Sequence, residues 1–484
     1  MYKYSILLIL VLVFSCQPEK ENKQQQQERI RQIETHLMPA VAFKGEAVPT
    51  YEMNERMRRY KVPGISMAFI DNGRIAWSRS YGFHSFDSVK KVTSQSLFQA
   101  ASISKPVAAM AALNLVEDSL LKLEDGVNDY LNSWEVPNNH YTDSASITLE
   151  RLMTHTAGLT IHGFPGYPRG DSLPSVVEVL KGTAPANTGA VYPDTIPGSL
   201  WRYSGGGYTV MQLMMEEATG KSFASLMKKR LLGPLGMEQS TYGQPLPTRF
   251  HQQAALAHDE QGKKIDGGWH IYPEQAAAGL WTTPSDLARY MMDVQSTYQG
   301  ESSRVLSRDM ARKMLSVHKG DWGLGPALRG KGDSLVFHHG GANAGYRAFF
   351  FAFAGQDQGV ALMTNSDNGR DLINEVMRAI DQAYGWGIFQ TEKKVRVPMK
   401  SSEMGALEGV YELSPRMRVT LKAEEDHLIG IASWNEQTIA FYPGSDSAFF
   451  DLEKGWTLRF DRSTDEGQVM GFSLNESTYF TKVQ

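Results

Sequence analysis

The sequence feature that most restricts the fold is a helical segment that is apolar almost all round, at residues 106–116 (PVAAMAALNLV). A surface helix keeps one polar face, whereas a helix without such a face has to be covered on every side. This segment therefore predicts the central helix of a large core. The chain of 484 residues is long enough to supply that core and to form two or three domains.

Strand and helix patterns alternate on both sides of this segment. Two apolar runs separated by Asp71-Asn72-Gly73 predict a hairpin of residues 65–70 with 74–78. Strand character returns over 349–364, and helical patterns occur at 208–218, 283–293 and 371–384. Strands at both ends with helices between them predict an α+β domain, in which helices cover an antiparallel sheet.

The helical pattern disappears after residue 400. Residues 393–402 (KKVRVPMKSS) predict a linker, and apolar residues then alternate with polar ones, as at 417–423 and 456–461. Alternation with a period of two, interrupted by turn residues, is typical of strands with one buried face. We therefore expect residues 400–484 to form a small all-β domain, a closed antiparallel barrel of the lipocalin-like kind.

The first residues have the pattern of an export signal. Lys3 precedes the apolar run 6–14, which is too short to cross a bilayer as a helix. Residues 13–16 (VFSC) resemble the lipobox of bacterial lipoproteins, which implies that Cys16 is lipidated; a secretory signal with a chance cysteine is the alternative.

From this pattern we expect a signal peptide at residues 1–15, followed by a polar tether and an N-terminal helix at 16–45. The protein would then be exported and lipid-anchored in the bacterial cell envelope, in the periplasm or at the outer membrane.

Charge and composition exclude several classes of function. The 49 basic and 53 acidic residues give a net charge of −4, which does not suggest a nucleic-acid partner. One cysteine cannot form an intrachain disulfide framework or a zinc site of several cysteines, and no H-E-x-x-H motif occurs. We expect neither a metal nor a cofactor.

Ser102 and Lys105 are the first candidates for catalysis, because residues three apart lie on the same face of a helix. A serine hydroxyl needs an adjacent base, and a lysine amine can serve as one when burial lowers its pKa. Pro106 is tolerated only in the first turn of a helix, so Ser102 should lie where the helix begins. By itself, S-x-x-K is also typical of a capped helix with a surface lysine.

Two further segments narrow the interpretation. Residues 201–208 (WRYSGGGY) place a tyrosine before a glycine-rich helix start, and residues 337–346 (FHHGGANAGY) place histidine and small residues before a strand. In order and spacing, the three segments resemble the signature of the serine β-lactamase and penicillin-binding-protein superfamily, S-x-x-K, Y-x-N and K-T-G or H-x-G. The class C-like branch of esterases, D-aminopeptidases and carboxypeptidases is the most similar.

The resemblance implies a fold for residues 46–392, the predicted serine hydrolase domain. This fold is an antiparallel sheet flanked by helices, with an all-helical subdomain, as in the β-lactamases and transpeptidases. The small C-terminal β domain would act as a cap or an oligomerisation element.

The resemblance also implies roles for single residues. Ser102 would be the acylated nucleophile, Lys105 its base and Tyr203 the group that passes a proton to the leaving group. His339 would be the histidine of H-x-G, and the backbone amides of Ser102 and Ala342 would form the oxyanion hole. The expected substrate-binding residues are Gly340, Gly341, Asn343 and Arg347.

Two roles are open for Arg347: it could bind a substrate carboxylate, or it could be a surface arginine. His155, by contrast, is expected to be structural.

Two departures from the family pattern bear on the substrate. Gly205 stands where asparagine is usual in Y-x-N, so the amide that contacts lysine and substrate is missing. A histidine replaces the lysine of K-T-G, which weakens recognition of a substrate carboxylate. Both changes favour an esterase or amidase over a potent β-lactamase.

We therefore expect an exported serine hydrolase that acts through an acyl-enzyme on small esters, amides or peptides, of the esterase, D-aminopeptidase or carboxypeptidase type. One alternative is a sensor that binds peptidoglycan fragments or β-lactams without turnover. Another makes the β domain a ligand-binding barrel tethered to an inactive hydrolase; deleting residues 400–484 would then abolish ligand binding and leave any hydrolysis unchanged.

Overall fold

An antiparallel sheet of six strands forms the centre of the N-terminal part of the protein. The structure is a computed structural model that describes residues 23–463 and 467–484. The strands before the C-terminal barrel are β1 (Val41–Phe43), β2 (Gly64–Asp71), β3 (Arg74–Gly82), β4 (Phe98–Gln99), β5 (Trp281–Thr282), β6 (Ala327–Arg329), β7 (Val336–Asn343), β8 (Tyr346–Phe353), β9 (Gly359–Thr364) and β10 (Glu392–Lys394). The order in the main sheet is β3-β2-β9-β8-β7-β6, so the first hairpin pairs with the last strand.

Helices cover both faces of this sheet. The described helices are α1 (Lys23–Thr35), α2 (Met53–Arg59), α3 (Ser104–Glu117), α4 (Leu149–Met153), α5 (Val176–Lys181), α6 (Gly205–Thr219), α7 (Phe223–Met227), α8 (Gln275–Ala278), α9 (Pro284–Gln299), α10 (Arg308–Met314), α11 (Gly369–Tyr384) and α12 (Ser401–Gly405), the last of which packs in the barrel. The α+β class that the sequence predicts is confirmed.

Alternate residues of the strands face two separate cores. On β2, Ala68 and Ile70 pack in the core that contains α3, α6 and α9, whereas Met67 and Phe69 pack in the core of α1, α2 and α11. This division follows from the period of two in a strand, which points successive side chains to opposite faces. The site described below lies on the α3 side.

The apolar segment 106–116 lies in α3, and every residue of this helix from Ser104 to Leu113 is buried. The prediction of a helix enclosed on all sides is confirmed. Lys105 is the charged residue within that stretch.

The C-terminal part of the chain is a closed barrel of eight antiparallel strands. They are β11 (Gly409–Ser414), β12 (Met417–Ala423), β13 (Leu428–Ala432), β14 (Thr438–Pro443), β15 (Ala448–Phe450), β16 (Thr457–Arg462), β17 (Val469–Leu474) and β18 (Thr478–Lys482). Each strand pairs with its neighbour in sequence, and β18 closes on β11. The predicted barrel is confirmed.

The barrel is joined to the rest of the chain by backbone and side-chain contacts. The parallel pair β1 and β10 lies at the junction, and the amides of Ala40 and Val41 donate to the carbonyls of Glu453 and Leu452. Arg56, which is buried, donates to Glu375 of α11 and to Glu453 of the barrel. The barrel is therefore packed on the sheet domain.

Two local expectations can be compared with the structure. The predicted linker 393–402 overlaps the end of β10, which pairs with β1, and the first two residues of α12, and residues 395–400 between them are neither helix nor strand. Within residues 16–45, where a polar tether and an N-terminal helix are expected, the described helix is α1, which packs on α11 through Ile30 and Ile33. The predicted signal peptide and Cys16 lie outside the described residues. Among the described helices, none has the length and apolarity needed to span a bilayer.

Candidate active site

The turn that carries Ser102 is fixed by a short strand pair. Strand β4 pairs with β5, and the amide of Ala100 donates to the carbonyl of Leu280 at 2.8 Å. A 3-10 turn, Ala101–Ile103, follows and leads directly into α3. Ala101 has φ +51°, a left-handed conformation that is costly for a non-glycine residue and is held by its surroundings. Ser102 is half-buried at the start of the helix, as predicted from Pro106.

Lys105 lies beneath this serine. Its side chain is buried, and Nζ lies 3.1 Å from Ser102 Oγ and 2.8 Å from the carbonyl oxygen of Ala277. Burial lowers the pKa of the Lys105 amine to about 7, because the apolar surroundings disfavour the charged form. A neutral amine at this distance can accept the hydroxyl proton of Ser102.

Tyr203 covers the other side of the lysine, with its ring centroid 4.8 Å from Lys105 Nζ. Burial raises the pKa of the Tyr203 phenol, and the nearby Ser102 hydroxyl lowers it by a smaller amount. Apart from the Ser102 hydroxyl near it, the phenol oxygen has no hydrogen-bond partner among the described residues. Tyr203 is therefore a protonated phenol that is free to donate to a bound molecule.

The start of α6 holds Tyr203 in place. Ser204 caps this helix by accepting a hydrogen bond from the amide of Gly207, and its own amide donates to His155 Nδ1 at 3.1 Å. The His155 ring lies 4.2 Å from the Tyr203 ring, and burial lowers the pKa of this histidine well below its ordinary value. His155 is a neutral positioning group beside the phenol.

The glycine that replaces asparagine in Y-x-N has a steric explanation. A Cβ on Gly205 would lie 3.0 Å from the carbonyl oxygen of His162 and 3.0 Å from the ring of Phe164. The segment 162–164 thus occupies the space that an asparagine side chain would need. The sequence shows the missing amide but not the segment that replaces it, since that segment is 41 residues away in the chain at its nearest residue, Phe164.

His339 is brought to the same site by strand β7. Its Nδ1 donates to the carbonyl of Gly340 at 2.6 Å, while Nε2 is buried and has no described partner. Burial, with a contribution from Lys105, lowers the pKa of His339 to about 3. The imidazole is therefore neutral, and its Nε2 is an acceptor. A cation of the kind that K-T-G provides is absent at this position.

The glycines of β7 let the strand lie against the serine turn. A Cβ on Gly341 would lie 2.1 Å from the carbonyl oxygen of Ala100, so a larger residue is excluded. This contact places the backbone around Ala342 beside Ser102. The oxyanion hole of the Ser102 and Ala342 amides stays a prediction.

Two of the expected substrate-binding side chains are engaged in contacts within the protein. Asn343 donates to Gln99 Oε1 and to the carbonyl of Ala278, which ties β7 to β4. Arg347 pairs with Asp367 at 2.8 Å and also donates to the carbonyl of Asn343. The structure brings together Ser102, Lys105, Tyr203 and His339, and it gives Asn343 and Arg347 structural contacts.

Sequence reasoning missed an aromatic wall beside these groups. The rings of Trp201 and Trp322 lie 5.2 Å apart, and Trp322 is 5.6 Å from His339 and 6.0 Å from Tyr203. Trp201 is 40% exposed, so the wall has an open edge. The position of Trp201, two residues before Tyr203, was a signal that could have been used. Within residues 23–463 and 467–484, no cluster of acidic, histidine or cysteine side chains could hold a metal ion.

The sequence model described as "Beta-lactamase" matches residues 52–384, which include all four of the residues brought together here. The chain belongs to the beta-lactamase family. Penicillin-binding protein 4 of Amycolatopsis lactamdurans is 26% identical to this family member over 338 residues, which cover 66% of this chain and 85% of that protein. Protein flp of Staphylococcus aureus strain MW2 is 22% identical over 326 residues, or 64% of this chain and 61% of that protein. The chain thus spans under two thirds of the flp length.

Solved structures show the same fold. The octameric penicillin-binding protein homologue from Pyrococcus abyssi superposes on this beta-lactamase family member with a TM-score of 0.60 and 21% identity, covering 89% of this chain and 98% of that one. The D-amino acid amidase from Ochrobactrum anthropi SV3 gives a TM-score of 0.55 at 19% identity, covering 69% of this chain and 97% of that one. At these identities the similarity establishes the fold alone.

Proposed function

We propose that this protein is a serine hydrolase that acts through an acyl-enzyme on Ser102. The observation that carries the proposal is the buried amine of Lys105, 3.1 Å from the serine hydroxyl and with its pKa lowered to about 7. A base needs both hydrogen-bond reach and a pKa close to the working pH, and Lys105 has both.

The reaction follows from the positions of these groups. Ser102 Oγ attacks the carbonyl carbon of the substrate while its proton passes to Lys105 Nζ, and the carbonyl oxygen becomes an oxyanion. The Tyr203 phenol donates a proton to the leaving alcohol or amine as the bond to it breaks, and the proton held by Lys105 restores the phenol. Water then attacks the acyl-enzyme, a proton returns to Ser102 Oγ, and the acid is released.

The surroundings of these groups support a substrate without a negative charge. His339 is held neutral by burial, and the Arg347 guanidinium is paired with Asp367. The open edge of the cleft is lined by Trp201 and Trp322 instead. We therefore favour an apolar ester or amide over a peptide with a free carboxylate, and the fold similarity to a D-amino acid amidase supports this choice.

Intact-mass measurement with a nitrophenyl ester tests the proposal. We expect an acyl adduct and turnover for the wild type and for Ser225→Ala, an exposed control. Ser102→Ala should give no adduct and a kcat lower by at least about 1,000-fold. An equal adduct on Ser102→Ala would contradict the proposal. An adduct that persists without turnover would favour the sensor alternative.

We also propose export and lipid anchoring through Cys16, which rests on the sequence of residues 1–16. Fractionation of cells that express the wild type or Cys16→Ser tests this part. The wild type should stay with the membranes and the variant should be released; equal retention of both would contradict anchoring.

A further inference from the structure

A cavity of 620 Å³ is lined by the inner face of the C-terminal barrel and opens toward residues of the sheet domain. Barrels of eight strands are narrow enough to be filled by their own side chains or to hold one small ligand. A volume of this size lies within the range of about 300–1,000 Å³ that is usual for ligand pockets. The cavity walls include Val419, Ile439, Phe441, Leu458, Phe472 and Phe480.

Small residues on β13 leave this space open. Gly430 and Ala432 point inward and line the cavity, whereas Ile431 between them points outward, because side chains alternate along a strand. A Cβ on Gly430 would lie 3.0 Å from the Phe441 ring. At these two positions the inner face of β13 carries no side chain larger than a methyl group.

The mouth of the cavity exposes large apolar side chains. Leu413 is 42% exposed, Met417 37% and Trp434 40%, and all three line the opening. Apolar surface of this kind is stabilised when a ligand removes it from water. The rim therefore extends the apolar wall toward the solvent.

The charged groups at the mouth come chiefly from the sheet domain. Lys454 of the barrel pairs with Asp371 at 3.1 Å, and Arg347 pairs with Asp367. Arg370 also lines the mouth, is exposed and makes no ion pair with a described residue. Glu260 lies at the mouth and accepts a hydrogen bond from Asn435. Arg370 is thus the cation available to an incoming anion.

We propose that the barrel binds a single-chain acyl carboxylate, with the chain in the cavity and the carboxylate at Arg370. The apolar walls and the apolar rim take the chain, and an anionic head pairs with a guanidinium that has no carboxylate partner. None of Ser102, Lys105, Tyr203 and His339 lines this cavity, so the proposed binding goes beyond the proposed hydrolysis.

The test uses the full chain carrying Ser102→Ala, so that no ester probe is hydrolysed. The probe is 11-(dansylamino)undecanoic acid, followed by dansyl fluorescence and by energy transfer from Trp434 and Trp456, which line the cavity. We expect saturable binding of one probe per chain. The methyl ester of the probe should bind about two- to fivefold more weakly, because it lacks the charge that pairs with an exposed arginine.

Two variants with matched controls locate the probe. Ala432→Phe fills the cavity and should weaken binding at least tenfold, while Ile431→Phe on the outer face of the same strand should bind as before. Arg370→Ala should weaken the acid about two- to fivefold and leave the ester unchanged, whereas Arg459→Ala, on the barrel surface, should change neither.

Several results would overturn the inference. They are no binding at all, equal binding by the wild-type barrel and Ala432→Phe, or a methyl ester that binds as tightly as the acid. A second copy of the chain could also occupy the cavity, and native mass spectrometry of the unliganded chain tests this. Dissociation of an oligomer by Ala432→Phe would show that a second copy of the chain fills the cavity.

Discussion

Lys105 is the residue whose ionisation should govern hydrolysis. Its pKa is lowered to about 7, whereas burial keeps His155 and His339 neutral and raises the pKa of Tyr203. Since only the neutral amine can accept the serine proton, we expect kcat/KM for a nitrophenyl ester to rise with pH through a midpoint near 7. A pH profile measured from 5 to 9 checks this.

Two variants control that profile. Lys105→Arg should be inactive at every pH, because a guanidinium stays charged. His162→Gln should leave the midpoint unchanged, because His162 is exposed at the edge of the site. A midpoint that moves in His162→Gln would show that the assignment of this ionisation to Lys105 is wrong.

The buried lysine should also lower the stability of the fold. Its pKa is about 7 in the folded protein and about 10.4 in an unfolded chain, so the unfolded state binds more protons between these values and stability rises with pH. Lys105→Met removes the cost of burial but loses the hydrogen bond to Ala277, and we expect a net gain of about 2–4 kcal/mol at pH 7.

Thermal unfolding at pH 7 and pH 10 measures this effect. The advantage of Lys105→Met should be largest at pH 7 and should shrink at pH 10, where Lys105 is neutral in the folded wild type and the pH is close to the pKa of about 10.4 of an unfolded lysine. A variant less stable than the wild type at pH 7 would contradict the assigned pKa.

At the scale of elements, the start of α6 determines whether the usual Y-x-N asparagine can be restored. We expect Gly205→Asn to destabilise the protein by about 1–3 kcal/mol, because its Cβ would crowd His162 and Phe164. It should also lower kcat/KM by at least about tenfold, since displacement of segment 162–164 moves Tyr203. Differential scanning fluorimetry and ester hydrolysis check both expectations.

Gly207→Ala is the matched control on the same helix. Its Cβ would lie 3.5 Å from Leu152, an ordinary contact, so alanine should stabilise the helix by up to about 1 kcal/mol. A Gly205→Asn variant that is as stable as Gly207→Ala and more active than the wild type would contradict the prediction. It would show that segment 162–164 can move aside at little cost in free energy.

The elements that the sequence predicted well are those whose signals are local. Thr283 caps α9 with Pro284 in its first turn, and the helix runs to Gln299, past the predicted end at residue 293. The apolar segment at 106–116 likewise gave the buried helix. The contact of segment 162–164 with Gly205 and the pairing of Arg347 with Asp367 form between segments distant in the sequence, so no local sequence pattern predicts them.

At the scale of the whole molecule, the barrel and the sheet domain share an ion network that is buried at Arg56 and Glu375 and partly exposed at Glu453 and Arg59. Arg56 has a side chain 5% exposed and contacts both Glu375 and Glu453, while Arg59 also pairs with Glu453. We expect Glu453→Ala to lower stability by about 1–2 kcal/mol, because it leaves charge on Arg56 and Arg59 less compensated. Hydrolysis should be unchanged, as the network is remote from Ser102.

Thermal unfolding of Glu453→Ala beside Glu425→Ala checks this prediction. Glu425 is exposed, and its replacement should change stability by less than about 0.5 kcal/mol. Equal stability of the two variants would mean that the ion network contributes little. The network also affects the deletion of residues 400–484, since a truncated chain would lack Glu453 and would lose stability for reasons unrelated to any ligand.

The pairing of Arg56 with Glu453 spans 397 residues of sequence. A ribosome adds about 5–20 residues each second, so roughly 20 to 80 seconds pass between the synthesis of Arg56 and the synthesis of Glu453. During that interval the edge of β1 and the guanidinium of Arg56 face solvent without the barrel groups that later cover them. Newly made chains should therefore depend on holding chaperones until the last strands emerge.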